Sequence, residues 1–205
     1  MFVRIAAGIV FAALLGAAVS SPGPRAEETE PAPEPNPMVL VKTNLGDFTI
    51  ELYPDKAPIT VENFLNYVEK KFYDGTIFHR VMPGFMIQGG GFLPDMVQKE
   101  PGAPIKNEAD NGLKNEKYTI SMARTNVIDS ATSQFFINVV DNDRLDHKSK
   151  TPAGYGYAVF GKVVEGTAIV EAIKDVKTTK KGHHENVPIK PVIISRIRVI
   201  EPEEE

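Results

Sequence analysis

From residue 38 onward, apolar side chains alternate with polar ones or recur in short runs bounded by Gly, Pro, Asn and Asp. Val39-Leu40-Val41-Lys42-Thr43 reads as a strand and Asn44-Leu45-Gly46-Asp47 as a turn. Phe48, Ile50 and Leu52 then alternate with Thr49 and Glu51, so a half-buried strand completes an antiparallel hairpin. The period changes over residues 57–72, where Val61, Phe64, Leu65, Val68 and Phe72 recur at helical spacing. Pro58 suits the first turn of that helix, and Lys70 and Lys71 suit its C-terminal end. Further strands are predicted over 118–123, 133–139, 157–163 and 192–200, with a second helix over Thr167–Lys174. Residues 92–117 and 141–156 carry little periodicity. A structureless stretch as long as the first is uncommon unless it is functional or well tied down. About eight short strands, two helices and many turn signals fit a closed eight-stranded antiparallel β-barrel capped by two α-helices. A sandwich fits the same pattern, which alone does not decide between them.

One stretch combines strand pattern with chemistry: Phe78-His79-Arg80-Val81-Met82-Pro83-Gly84-Phe85-Met86-Ile87-Gln88-Gly89-Gly90-Gly91. It reads as two strands joined by a type II turn, with Pro83 at the fixed φ and Gly84 at the positive φ. The two-residue period places Phe78, Arg80 and Met82 on one face, and Met86 and Gln88 on one face past the turn. The three glycines permit a sharp bend or a close approach. Arg80 is then either an exposed edge charge or a donor facing a pocket. Gln134 and Phe136, two apart on a later strand, repeat the combination of an amide and an aromatic ring found at Gln88 and Phe85.

The chain outside this domain is of different character. Residues 1–20 carry one charge, Arg4, followed by an apolar run from Ile5 to Val19 that is short for a transmembrane span. They read as an export signal cleaved after Ser20, with Ala26 as the alternative site and an uncleaved anchor as the other reading. Residues 21–37 are rich in Pro and Glu and read as an extended linker, and residues 201–205 as an acidic tail. The domain is assigned to 38–200. Without residues 1–20 the chain keeps 22 Lys+Arg against 27 Asp+Glu, so its net charge moves from −4 to −5. That balance argues against nucleic acid or an anionic membrane as the main partner. The absence of cysteine excludes disulfides, thiolate nucleophiles and Cys-based metal sites. A short signal on a Cys-free chain fits the periplasm.

Other chemical classes find no support. There is no G-x-S-x-G, H-E-x-x-H or phosphate loop in context. His79 reads as a core or edge histidine satisfied by backbone. His183-His184 sits in a Gly- and Lys-rich loop without a third ligand, so no metal is expected. Asp141, Asp143 and Asp146 have calcium-loop spacing but lack the Gly and the terminal Glu, and read as loop solvation.

The stretch 78–90, with Ser121-Met122-Ala123, Ser133-Gln134-Phe135-Phe136-Ile137 and Val159-Phe160-Gly161-Lys162-Val163, resembles the signature of the cyclophilins. It does so in the same order over residues 38–200, and most in the manner of the exported bacterial branch. The resemblance implies an eight-stranded barrel with two capping helices and peptidyl-prolyl cis–trans isomerase activity without a cofactor. Carried over by position, Arg80 is the catalytic residue. Phe85, Met86, Phe136 and Leu145 form the proline pocket. Gln88 and Gln134 bond the substrate backbone or order the arginine, and Ala123 and Arg124 line the strand beside which the peptide runs. Arg124 stands where the family often has Asn, Arg144 where many members have Trp, and Tyr157, also assigned to substrate binding, where many have His. The partners implied are unfolded or partly folded proline-containing polypeptides, met by a monomer. The Arg144 departure implies weak cyclosporin binding. The rival reading is a non-catalytic binding module or chaperone that uses the same groove.

Overall fold

The structure is a computed structural model, and it describes residues 35–200. The described residues form ten strands, two more than expected, with two α-helices and one short 3₁₀ turn (Asp143–Leu145). The strands are β1 (Met38–Thr43), β2 (Gly46–Leu52), β3 (Arg80–Met82), β4 (Met86–Gly89), β5 (Thr119–Met122), β6 (Phe135–Asn138), β7 (Val159–Glu165), β8 (Thr178–Lys181), β9 (His184–Pro188) and β10 (Ile194–Ile200). The helices are α1 (Pro58–Glu69) and α2 (Thr167–Lys174). Eight strands form one antiparallel sheet in the order β10-β1-β2-β7-β5-β6-β4-β3. The sheet curls on itself around one core, and the two helices lie against it. Its ladder stays open between β3 and β10, so by ladder it is a half-barrel. The seam is bridged just before those strands: Phe78 N–H donates to Val192 O, Gly75 N–H to Ile194 O, and Ile194 N–H to Thr76 O.

The core follows from the two-residue period. Val81, Ile87, Ile137, Ile120, Gly161 and Leu52 stand opposite one another across β3, β4, β6, β5, β7 and β2. All six are buried, and the five with side chains belong to one apolar cluster. Gly161 is required there by space, since a Cβ would stand 2.3 Å from the Glu51 carbonyl oxygen. Helix α1 adds Phe64, whose ring meets Phe135 edge-on at 5.7 Å and Phe160 at 5.3 Å.

Several local expectations change. The turn at Met82–Phe85 is closed by the Phe85 N–H to Met82 O bond, but Gly84 has no positive φ, so it is not type II. Pro83 suits a type I turn equally well. Helix α1 stops at Glu69; Lys71, at φ 52°, turns the chain rather than completing the last helical turn. Phe78 precedes β3 and is buried in the main core, off the face that carries Arg80. The supposed loop at His183-His184 is the tip of a second, two-stranded sheet formed by β8 and β9.

Residues 92–117 contain no ladder strand but are tied down throughout. The Glu108 carboxylate accepts from the N–H groups of Ile59 and Thr60 and from the Thr60 hydroxyl. It thereby caps α1 in place of Ala57, which has no side-chain acceptor. Asn107 and Asn111 donate to the carbonyls of Gly156 and Val159. Asp146 is buried and accepts from the backbone and side chain of Asn115, so it is a tether rather than a solvated loop charge.

Candidate active site

On the outer face of β3, β4 and β6 a second pattern runs beside the core. Arg80 stands opposite Gln88, and Gln88 opposite Phe136; one step along, Met82 stands opposite Met86. Met86, Phe136 and Leu145 form a small apolar cluster of their own, joined by Met82, Phe85, Ala123 and Tyr157. The result is a cavity of about 350 Å³ lined by Arg80, Phe85, Met86, Gln88, Ala123, Arg124, Phe136, Leu145 and Tyr157. These are nine of the ten residues singled out from the sequence. The tenth, Gln134, stands behind Gln88 and accepts from its amide at 2.9 Å.

The polar handles are arranged in a line. Arg80 Nη1 donates to Gln88 Oε1 at 3.4 Å, and Gln88 Nε2 donates to Gln134 Oε1. This relay fixes both amides and aims the guanidinium across the Phe85 ring, 5.9 Å from its centroid. Room for Gln134 comes from Gly91, where a Cβ would sit 2.6 Å from the Gln134 side chain. Gly90, at φ 83°, makes the turn that brings Gly91 there.

The apolar walls are held by backbone bonds. Asn142 Nδ2 donates to Phe85 O at 2.9 Å and to Asn138 Oδ1 at 2.7 Å. Leu145 O accepts from Tyr157 N–H, and the Tyr157 ring meets Phe136 edge-on at 5.6 Å. The Arg124 side chain lines the cavity with its donors turned to backbone. It donates to the carbonyls of Gly156, Pro152 and Thr125, and its guanidinium stacks on Tyr157 at 4.8 Å. Ala123 N–H bonds Gln134 O.

The chemistry of this arrangement is that of binding and positioning. No residue lining the cavity is a nucleophile or a carboxylate. It offers an apolar slot for a ring and one guanidinium beside it. Compared with known proteins, residues 38–199 match the family described as cyclophilin type peptidyl-prolyl cis-trans isomerase/CLD. The chain is 59% identical over 162 residues to a peptidyl-prolyl cis-trans isomerase of Streptomyces antibioticus, covering 79% of this chain and 98% of that one. It is 55% identical over 164 residues to peptidyl-prolyl cis-trans isomerase B of Escherichia coli K12, covering 80% and 100%. A crystal structure of a Cryptosporidium parvum cyclophilin superposes with a TM-score of 0.70 at 28% identity, covering 82% of this chain and 99% of that chain. The chain belongs to the cyclophilin-type peptidyl-prolyl cis–trans isomerases, enzymes that act on proline-containing peptides.

Beyond Arg80 lies a histidine cluster that the sequence pattern misplaces. His79 is buried, stacks on Phe92 at 4.5 Å, and its Nδ1 has no partner, so backbone does not satisfy it. Phe92 in turn meets His184, and His183 stacks on His184 at 4.0 Å. Together with Arg80, Gln88, Glu185 and Asn186 these histidines line a second cavity of about 340 Å³. Burial first, then the charges of His184 and Arg80, push His79 down to about 4. The folded state therefore resists a proton that the unfolded chain accepts near pH 6.5. Stability is complete above about pH 6.5 and falls as pH drops toward 4, by about 3 kcal/mol in the limit. We expect His79→Gln to flatten the decline in urea-unfolding free energy between pH 7 and 4.5 by about 2 kcal/mol. An unchanged pH slope in the variant would refute this account of His79.

Proposed function

We propose that the groove accelerates X-Pro rotation in exported polypeptides, that Arg80 is its catalytic residue, and that the enzyme works as a monomer in the periplasm to assist folding. The observation that carries the role of Arg80 is its placement: a guanidinium held by Gln88 at the edge of an apolar slot, with donors the protein itself does not use. Rotation about an X-Pro bond crosses a barrier of about 18–20 kcal/mol because it breaks amide resonance. In the twisted state the proline nitrogen regains a lone pair and becomes a better acceptor. A donor aimed at that nitrogen binds the twisted state more tightly than either planar one, and that difference is the catalysis. Phe85, Met86, Phe136 and Leu145 hold the ring by apolar contact while the acyl side turns. Gln88 and Gln134 hold Arg80 in place, and Gln88 presents its amide to the substrate backbone. Tyr157 closes the slot beside Phe136. Ala123 and Arg124 form the adjoining wall, with Arg124 acting by pinning the 152–157 loop. Arginine stays charged at any working pH. Lowering the barrier by roughly 7 kcal/mol corresponds to about 10⁵-fold. A groove that only holds proline segments has no need of this donor, which favours catalysis over pure binding.

Three outcomes are expected. Arg80→Ala lowers kcat/KM on a proline peptide by about 10²–10³-fold, read by exchange NMR, while the fold is kept; equal rates for the two proteins remove Arg80 from its role. The compartment rests on residues 1–20, which lie outside the described residues. Cells making the full chain should release it with the periplasmic fraction, its N-terminus at Ser21 or Glu27; recovery with the cytoplasm sinks this part of the proposal. Cyclosporin should inhibit weakly. Arg144 stacks on the Phe85 ring at 4.4 Å, so an apolar ligand there must displace or cover a hydrated cation. Arg144→Trp should recover part of the sensitivity, and tight inhibition of the unmodified enzyme would overturn the assignment of Arg144.

A further inference from the structure

Three guanidiniums stand around the proline slot of a protein whose net charge is −4. Arg80 and Arg144 both face the Phe85 ring, at 5.9 and 4.4 Å, and Arg124 faces Tyr157. None of the three forms an ion pair among the described residues, and no carboxylate lines the cavity. Their donors are committed differently. Arg80 bonds Gln88, and Arg124 spends its side chain on three backbone carbonyls. Arg144 is exposed and is held by its stack on Phe85 alone, and its neighbour Asp143 does not pair with it. Stacking fixes the plane of a guanidinium and leaves its edge open to a carboxylate, which it can meet with two parallel bonds.

Resting on the isomerase reading of this groove, we infer that Arg144 reads an acidic residue next to the substrate proline, so that the preferred substrates are proline segments flanked by Asp or Glu. A guanidinium stands at each of three corners of the slot and no carboxylate lines it, while Asp141, Asp143 and Asp146 line a separate cavity, so a flanking lysine within the slot meets like charge. The proline itself engages the apolar wall whatever its neighbours are. The neighbours cross the mouth of the slot, where Phe85 and Arg144 stand. Selection therefore acts on the flanking side chain and adds to the grip on the ring.

The test uses the chain from residue 21 to 205 and a set of alanine-based proline peptides. Glu, Gln or Lys is placed directly before, two before, or directly after the proline. Exchange NMR gives kcat/KM, and shift titration gives Kd independently of turnover. At low salt, Glu should exceed Gln by about three- to tenfold at one position or more, with Lys below Gln. The preference should shrink at about 0.5 M salt. Each protein is compared with itself through the Glu:Gln ratio, so a general loss of activity in a variant does not enter. Arg144→Gln should bring that ratio close to one, Arg144→Lys should keep part of it, and Arg144→Glu should turn the preference toward Lys. A wild-type ratio of one at every position overturns the inference. So does an unchanged ratio in Arg144→Gln, which would move the preference to Arg80 or Arg124. Glu-selective binding without any turnover would leave the inference standing and remove the catalytic roles instead.

Discussion

Strand β6 places two phenylalanines side by side and sends them to opposite faces of one sheet. Phe135 goes inward, where its ring meets Phe64, Tyr73 and Phe78 edge-on at 5.5–6.2 Å. Phe136 goes outward and lines the groove with Met86 and Leu145. The same alternation on β4 buries Ile87 while presenting Met86 and Gln88. The barrel core and the groove therefore share one register. A slip of one residue in β6 would turn Phe136 into the core, and the same slip in β4 would turn Gln88 there, with an unpaired amide under apolar cover. Whatever holds the core in register also holds the site in register, and the site needs no separate scaffold.

Legibility in the sequence follows from which forces leave a period. The half-buried strands β1 and β2 and the stripe on α1 bury one face each, so their patterns were readable and their positions held within a few residues. The groove residues were readable for a different reason. Their order along the chain matches a family signature, and nine of the ten line one cavity. Periodicity alone misplaced Phe78, because β3 begins only at Arg80 and its two-residue alternation does not reach back to Phe78. Hairpin β8–β9 escaped notice because it is mostly exposed and polar, with only Val187 and Pro188 buried, so neither face carries an apolar alternation. Residues 92–117 showed only the composition of a loop. What orders them is side chains reaching distant backbone, such as Glu108 at the start of α1, and such long-range pairs leave no local trace.

The same kind of bond explains why the groove can be apolar, open and still well defined. Apolar contact alone does little to fix the direction of rings and thioethers beside an open groove, since it is not directional. Here each wall is fixed from behind by a polar group aimed at backbone. Asn115 accepts from the Ser121 hydroxyl and the Asn138 amide; Asn138 accepts from Asn142, and Asn142 holds the carbonyl of Phe85. Asn142 also begins the 3₁₀ turn that carries Arg144 and Leu145. Asn115, Asn138 and Asn142, with Asp146, which reads as loop solvation from sequence, thus join β5, β6 and the slot wall in one network. All but a few of the buried side-chain polar atoms among the described residues find a partner; Asp74 Oδ1 and His79 Nδ1 do not.

Prolyl isomerisation makes this arrangement intelligible. The reaction forms no bond to the enzyme and moves no proton, so a site can contribute only by holding one half of a rotor still and by meeting the lone pair that localises on the proline nitrogen as the other half turns. The first task calls for apolar walls that do not shift, and the second for a donor whose direction is set before the substrate arrives. On the proposed role of Arg80, the asparagine network serves the walls and the Gln134–Gln88–Arg80 relay serves the donor. Both end in groups on the outer face of β4 and β6, so the two tasks converge within one row of residues. Arg144 and Tyr157 stand outside that row, so a change of side chain at either leaves the Arg80–Gln88–Phe136 register in place.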